Sequence, residues 1–383
     1  MKMPSRRVVV VVATTLVVGG VVAGATVGGD GGRDARGASA ASTTSTTSAR
    51  TTSTEQAPAD DGDEQESTTT SSRIDFLSEP IGPRMVFLVA EAEVVVVDLD
   101  ANVVRRVPHE IKIASDGRAG AIAFAAGTSG VFLAGGGRIH FLGRNAQGPP
   151  DDIGEAIVAI PSTTAGRAWV ARERGGGFVL VEIDTGGRET RTSARLPDDM
   201  TPVGSAGDTV VLQSAADALV AWSPATGTAS WTTDSAAEYI GSSRGRVVWR
   251  RPCSSPLCTV HVTDPATGRD ETIPIPEFGV GWSSSYEVDP TGRYLGALTG
   301  EYRRDSAAFE VVVVDLETRL VAAEEAFEPG DLAWSPDGRW LFQSGEADFG
   351  LQLRWAYRLD GSSLRRVDLR LPERYQTLAT VVL

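Results

Sequence analysis

Phe309-Glu-Val-Val-Val-Val-Asp315 and, a short way on, Leu332-Ala-Trp-Ser-Pro-Asp-Gly-Arg-Trp-Leu-Phe342 are the two segments that decide the fold. The first is a continuous apolar run of strand length, rich in β-branched side chains that pack well on a pleated surface. Such a run predicts a buried strand. In the second, Pro336 presets φ, Asp337 can bond its own backbone, and Gly338 takes positive φ where the chain reverses. Together with the charged turn and the stretch 319–327 between them, the segments spell strand, turn, strand, longer loop, strand, turn, strand.

This unit recurs. Thr185-Gly186, Thr226-Gly227 and Thr267-Gly268 follow one another at intervals of 41 residues. A second glycine series, Gly82, Gly130, Gly166, Gly207, Gly245, Gly292 and Gly338, precedes an apolar run each time at intervals of 36 to 48 residues. Four short strands per unit at that period mark the blade of a β-propeller, and seven turns predict seven blades. With strands labelled a to d outward from the axis, strand b is read at 85–89, 131–134, 168–171, 209–213, 247–250, 294–298 and 340–343. Strand c is read at 94–98, 138–142, 178–184, 218–222, 259–263, 309–315 and 353–359. Blade 2 offers little for a strand d over 143–152. Thr377-Leu-Ala-Thr-Val-Val-Leu383 is strand-like with no blade of its own, so it is expected beside 85–89, closing the ring and removing its open edges; a competing reading gives that slot to 74–77.

Trp334-Ser-Pro-Asp-Gly-Arg-Trp-Leu341, with its degenerate copy Asp289-Pro-Thr-Gly-Arg-Tyr-Leu295, resembles the WD40-like (PD40-type) repeat of TolB-type bacterial propellers. Ala221-Trp-Ser-Pro-Ala-Thr-Gly-Thr-Ala-Ser-Trp231 resembles the repeat of quinoprotein dehydrogenases and the outer-membrane assembly propeller BamB. These are turn motifs and imply architecture. Quinoprotein dehydrogenases carry eight blades and a vicinal disulfide, whereas this chain reads seven and its cysteines are not adjacent, so quinone chemistry is not expected. No cofactor motif is present.

The N-terminus sets the compartment. Lys2, Arg6 and Arg7 precede an uncharged stretch over 8–27 that is about as long as a bilayer core requires. Two fates are open: cleavage after Ala25, or retention as a single-pass anchor over 1–28, which is favoured because secretory apolar regions are usually shorter. The span 29–72 is Gly, Ala, Ser and Thr with an acidic knot and no aromatic residue, the composition of a disordered tether of roughly 35 to 40 Å. The propeller then occupies 73–383, outside the cytoplasm. With 36 basic against 50 acidic residues and a net charge of -14, the chain lacks the basic face that nucleic acid demands. A monomer is expected.

Candidate sites follow from the blade scheme. Cys253 and Cys258, the two cysteines, fall in one b–c loop, where a disulfide would contribute about 2 kcal/mol. His109, His140 and His261 are spaced for neither a metal nor a triad, and no G-x-S-x-G elbow follows a strand. In a propeller the b–c and d–a loops emerge on one face. There Arg172 and Arg174, Arg250 and Arg251, and Arg303 and Arg304 would project together, matched to carboxylate or phosphate. Acidic d–a loops reach the same face, so a surface salt-bridge lattice is the competing account. The reading is a membrane-tethered module binding a cell-envelope protein, peptide or glycan. The rival is a lactonase-like or glycan-cleaving hydrolase using Glu238, Glu287 and Asp331 at the channel mouth, with calcium held there as a lesser variant.

Overall fold

The computed structural model describes residues 76–77, 81–82, 84–112, 122–234, 236–251, 257–276, 285–303, 306–326, 330–347, 350–361, 363–372, 375 and 377–383. The expected anchor over 1–28, the tether over 29–72, Cys253 and Arg304 lie outside these residues.

Seven antiparallel four-stranded sheets form the blades of a propeller. Blade 1 takes Ala379–Val382 as its innermost strand, followed outward by Met85–Val89, Glu93–Asp98 and Val103–Pro108. Blades 2 to 7 follow in chain order, with innermost strands Ala123–Ala125, Ala159–Pro161, Met200–Ala206, Glu238–Ser243, Ser285–Val288 and Gly330–Trp334. Each innermost strand contacts the next one round, and Ala379–Val382 contacts those of both blade 7 and blade 2, so the ring is closed.

Why the apolar runs are continuous is now apparent. A blade is covered on both faces by its neighbours, so strands b and c bury every side chain instead of alternate ones. In Met85–Val89 all five residues are buried. Val86 and Leu88 point into the seam with blade 7, while Met85, Phe87 and Val89, on the opposite face, point into the seam with blade 2. Seven apolar clusters fill the seven seams, one in each. The outermost strands have one covered face, and Val321–Ala326 and Ser363–Asp368 accordingly alternate between buried and exposed positions.

The C-terminal strand closes the ring as expected, pairing Val86 with Val382 and Leu88 with Thr380. The competing slot is corrected: Leu77 bridges Leu369 on the outer edge of blade 7. Blade 2 does possess a strand d, Asp151–Glu155, held to Arg138–Gly143 across a bulge. Strands b and c of blades 6 and 7 run beyond the predicted spans, to Tyr294–Arg303 with Ser306–Asp315 and Trp340–Ala347 with Gly350–Asp360. The segment preceding Phe309, expected as loop, is hairpin, because backbone pairing there needs no apolar pattern.

The glycine series marks the a–b turns. Gly82, Gly166, Gly207, Gly245, Gly292 and Gly338 have φ between 61° and 83°, while in blade 2 Gly127 takes the left-handed role at 61°. At Gly292 a side chain is excluded twice over, since a Cβ would also lie 2.6 Å from the Arg244 amide nitrogen of blade 5.

Candidate binding site in the axial channel

The a–b turns surround the mouth of an axial cavity of about 620 Å³ whose wall includes residues from all seven blades. Its rim is tied from blade to blade. Thr163 Oγ1 donates to Gly207 O at 3.0 Å, Ser243 Oγ donates to Gly292 O, and Arg84 and Arg244 reach across to Asp337 and Glu317. Its wall combines apolar side chains, among them Phe124, Val288, Trp334 and Val381, with polar ones such as Ser205, Ser242 and Thr380.

Glu287 stands in this wall, two residues before a turn that Asp289 organises. The Asp289 carboxylate accepts the amides of Thr291, Arg293 and Tyr294 at 2.9, 2.7 and 2.5 Å. Trp334 Nε1 donates to the Glu287 carbonyl at 2.9 Å, fixing the backbone of blade 6 against blade 7. The Glu287 side chain is half-buried and lines the cavity. Burial, reinforced by the negative charge of Asp331, pushes its carboxyl up to about 8. Asp331 lies two residues before the wall residue Ala333 and so on the same side of its strand, and burial raises its carboxyl too. Among the described residues neither carboxyl has a hydrogen-bond or ion-pair partner.

Glu238, the third carboxylate read from the sequence, is placed differently. It sits at the opposite end of its strand and accepts from Arg250 Nε at 2.7 Å, while the Arg250 guanidinium lies 4.4 Å over the Tyr286 ring. Of the arginines read from the sequence, Arg172, Arg174, Arg250 and Arg251 each have a carboxylate partner. Arg172 and Arg174 share Glu189 at 2.7 and 2.5 Å, and Arg251 reaches Asp234 at 2.9 Å. Arg303 ends the long b strand of blade 6.

The histidines stand apart. His261 Nδ1 pairs with Asp270 at 2.7 Å, and its ring stacks on Trp249 at 4.1 Å; Trp249 Nε1 donates to Thr263, which donates to the same aspartate. That network fixes blade 5. His109 uses both ring nitrogens, Nε2 toward Ala90 O and Nδ1 accepting the Ile111 amide, each at 3.2 Å. His109 and His140 line one cavity of about 670 Å³ between blades 1 and 2, a proximity the sequence did not suggest. Burial lowers the pKa of both. Cys258 lies on Leu257–Thr263. Among the described residues no group of three or more His, Cys, Asp or Glu side chains is placed to hold a metal ion.

The chain is thus a seven-bladed β-propeller with an axial cavity. No protein-family model matches it, and no curated protein does. Among solved structures it is similar to TolB from Acinetobacter baumannii, at 12% identity and a TM-score of 0.45 over 80% of this chain and 67% of that one. A putative 6-phosphogluconolactonase from Bacteroides uniformis aligns at 13% identity and a TM-score of 0.48 over 79% of this chain and 100% of that one. The dihydro-heme d1 dehydrogenase NirN aligns at 14% and 0.42, over 80% and 77%. At these identities the likeness is one of fold.

Proposed function

We propose that this chain is an extracytoplasmic binding module, held to the membrane by its N-terminal segment, that receives part of a cell-envelope protein, peptide or glycan in its axial cavity. The observation carrying the reading is the cavity itself. Its volume lies in the range of ligand sites, and its wall brings polar and charged groups together with aliphatic and aromatic ones. The arginine face supports the reading less, because the arginines seen there already have carboxylate partners.

Ala125 is an exposed rim residue of the cavity, so Ala125→Trp narrows the mouth without disturbing a seam. The test is crosslinking of the exported domain in envelope preparations, with the crosslinked residues mapped by mass spectrometry. Crosslinks to cavity residues that vanish in Ala125→Trp and persist in an Arg172→Ala, Arg174→Ala double variant support the reading. The reverse pattern moves the site to the b–c face.

A hydrolase is the second reading, and one observation favours it: Glu287 holds a proton near neutrality beside a second carboxyl, as a general acid must. Against it, no serine, threonine or cysteine among the described residues hydrogen-bonds a histidine. Turnover of a lactone or glycoside that Glu287→Gln abolishes would establish the enzyme; inertness across such a panel leaves binding.

A further inference from the structure

Two carboxyls without a counter-charge in an enclosed wall are costly. An isolated buried carboxylate is strongly disfavoured unless a partner answers it. Several buried or half-buried carboxylates are answered from within the chain: Glu182 by Arg167 and Arg191, Asp315 by Arg293, Glu238 by Arg250. Among the described residues Glu287 and Asp331, which lie near one another, have no such partner. The remaining lining mixes apolar and polar groups: Phe124, Val288 and Trp334 stand with Ser242, Thr291 and Arg244, whose guanidinium is paired with Glu317.

Building on the channel as the binding site, we propose that the Glu287–Asp331 wall receives one cationic side chain, of the lysine or arginine kind, carried on an extended segment of a partner protein. A long stem ending in a cation can pass the rim and set its charge beside the two acids. The aromatic members add cation–π attraction. A divalent metal fits poorly, because a hard cation takes six or more oxygens and this wall presents two carboxyl groups. A neutral sugar would leave the acids unanswered.

The probes are blocked pentapeptides Gly-Gly-Xaa-Gly-Gly with lysine, arginine, norleucine or glutamate at the centre, and calcium alone. Binding is followed by the fluorescence of the wall tryptophan Trp334, checked in a Trp334→Phe variant, and by amide chemical-shift mapping of the exported domain. The lysine and arginine peptides should bind at least tenfold more tightly than norleucine, whose stem is the same length without the charge. Glu287→Gln and Asp331→Asn should each erase that tenfold preference, and Ala125→Trp should abolish binding of every peptide. Norleucine binding as well as lysine, in a manner Ala125→Trp still blocks, overturns the cation site and leaves the channel reading standing. Absence of peptide binding to the channel overturns both. A calcium response that Glu287→Gln removes, in place of peptide binding, replaces the proposal with a metal site.

Discussion

Replacing Glu287 by glutamine should stabilise the propeller, and only at neutral to alkaline pH. In the folded chain this carboxyl has been pushed to about 8 from an ordinary 4.5. Between those values the folded state holds a proton that the unfolded chain has released. Stability must therefore fall as pH rises through that window, and be level below about 4.5 and above about 8. The difference, at 1.36 kcal/mol for each tenfold change in proton affinity, sets a ceiling of about 5 kcal/mol. Because the carboxyl touches cavity water, screening reduces this to about 1–3 kcal/mol. Glutamine imitates the protonated acid in shape and carries no such penalty. Thermal melts of both proteins from pH 4.5 to 9 should give coincident midpoints at the acid end. A gap of about 2–6 °C in favour of the variant should have opened by pH 8.5. A gap independent of pH, or one that widens toward acid, would refute the claim that Glu287 is a carboxyl deprived of a counter-charge.

Three further outcomes follow from the seams and turns. Deleting 377–383 removes the innermost strand of blade 1, with buried Val381, Val382 and Leu383; fully buried side chains of that size contribute about 1.5–3 kcal/mol each, so the midpoint should drop by 10 °C or more, or the domain should aggregate through its opened edges, as read by calorimetry and light scattering. Burial acts to raise the Glu182 carboxyl, but hydrogen bonds from Arg191, Thr190, Ser162 and Arg167 more than offset it and bring it to about 2; this depressed value stabilises the fold above about pH 4.5 and is lost as pH falls toward 2, so Glu182→Ala should cost about 3–5 kcal/mol at pH 7 and much less near pH 2 in urea titrations. Gly292→Ala meets both positive φ and the Arg244 backbone and should cost about 2–4 kcal/mol, whereas Gly137→Ala, at φ 78° with open space around it, should cost about 1 kcal/mol; equal costs would mean that the blade 5 to blade 6 contact has no energetic role.

What the sequence disclosed follows from where burial is two-sided. Strands b and c are sandwiched between neighbouring blades, so their continuous valine-rich runs stand out; 85–89 was readable to the residue, and 94–98 missed only Glu93. Strand d of blade 2, Asp-Asp-Ile-Gly-Glu, faces solvent on one side and is held by backbone bonds through a bulge, so no apolar pattern announced it. The extended hairpins of blades 6 and 7 escaped notice for the same reason. Among candidate site residues, sequence placed Glu238, Glu287 and Asp331 together near the axis but could not tell them apart. What separates them is cross-strand register: Glu238 falls opposite Arg250, Glu287 opposite Gly296 and Asp331 opposite Ser344, so one acid is answered and two are not. Register does not announce the partnering of Arg172 and Arg174 with Glu189, since Glu189 sits opposite Ile183 on strand c and long side chains make the contact.

In six of the seven blades the innermost strand runs straight into its neighbour through the a–b turn. Blade 1 has no such link: Ala379–Val382 arrives from the outermost strand of blade 7 and is held to blade 1 by its pairing with Met85–Val89, while contacts such as Ser344 with Thr380 hold it to blade 7. Unzipping those few residues leaves only the side-chain seam and the Arg84–Asp337 pair to hold blade 1 against blade 7. The amide protons of Val381 and Val382 should therefore exchange with solvent at the same rate as the deepest amides of the opposite blades. A small stretch of backbone pairing then acts as the clasp that sets the lifetime of the entire structure.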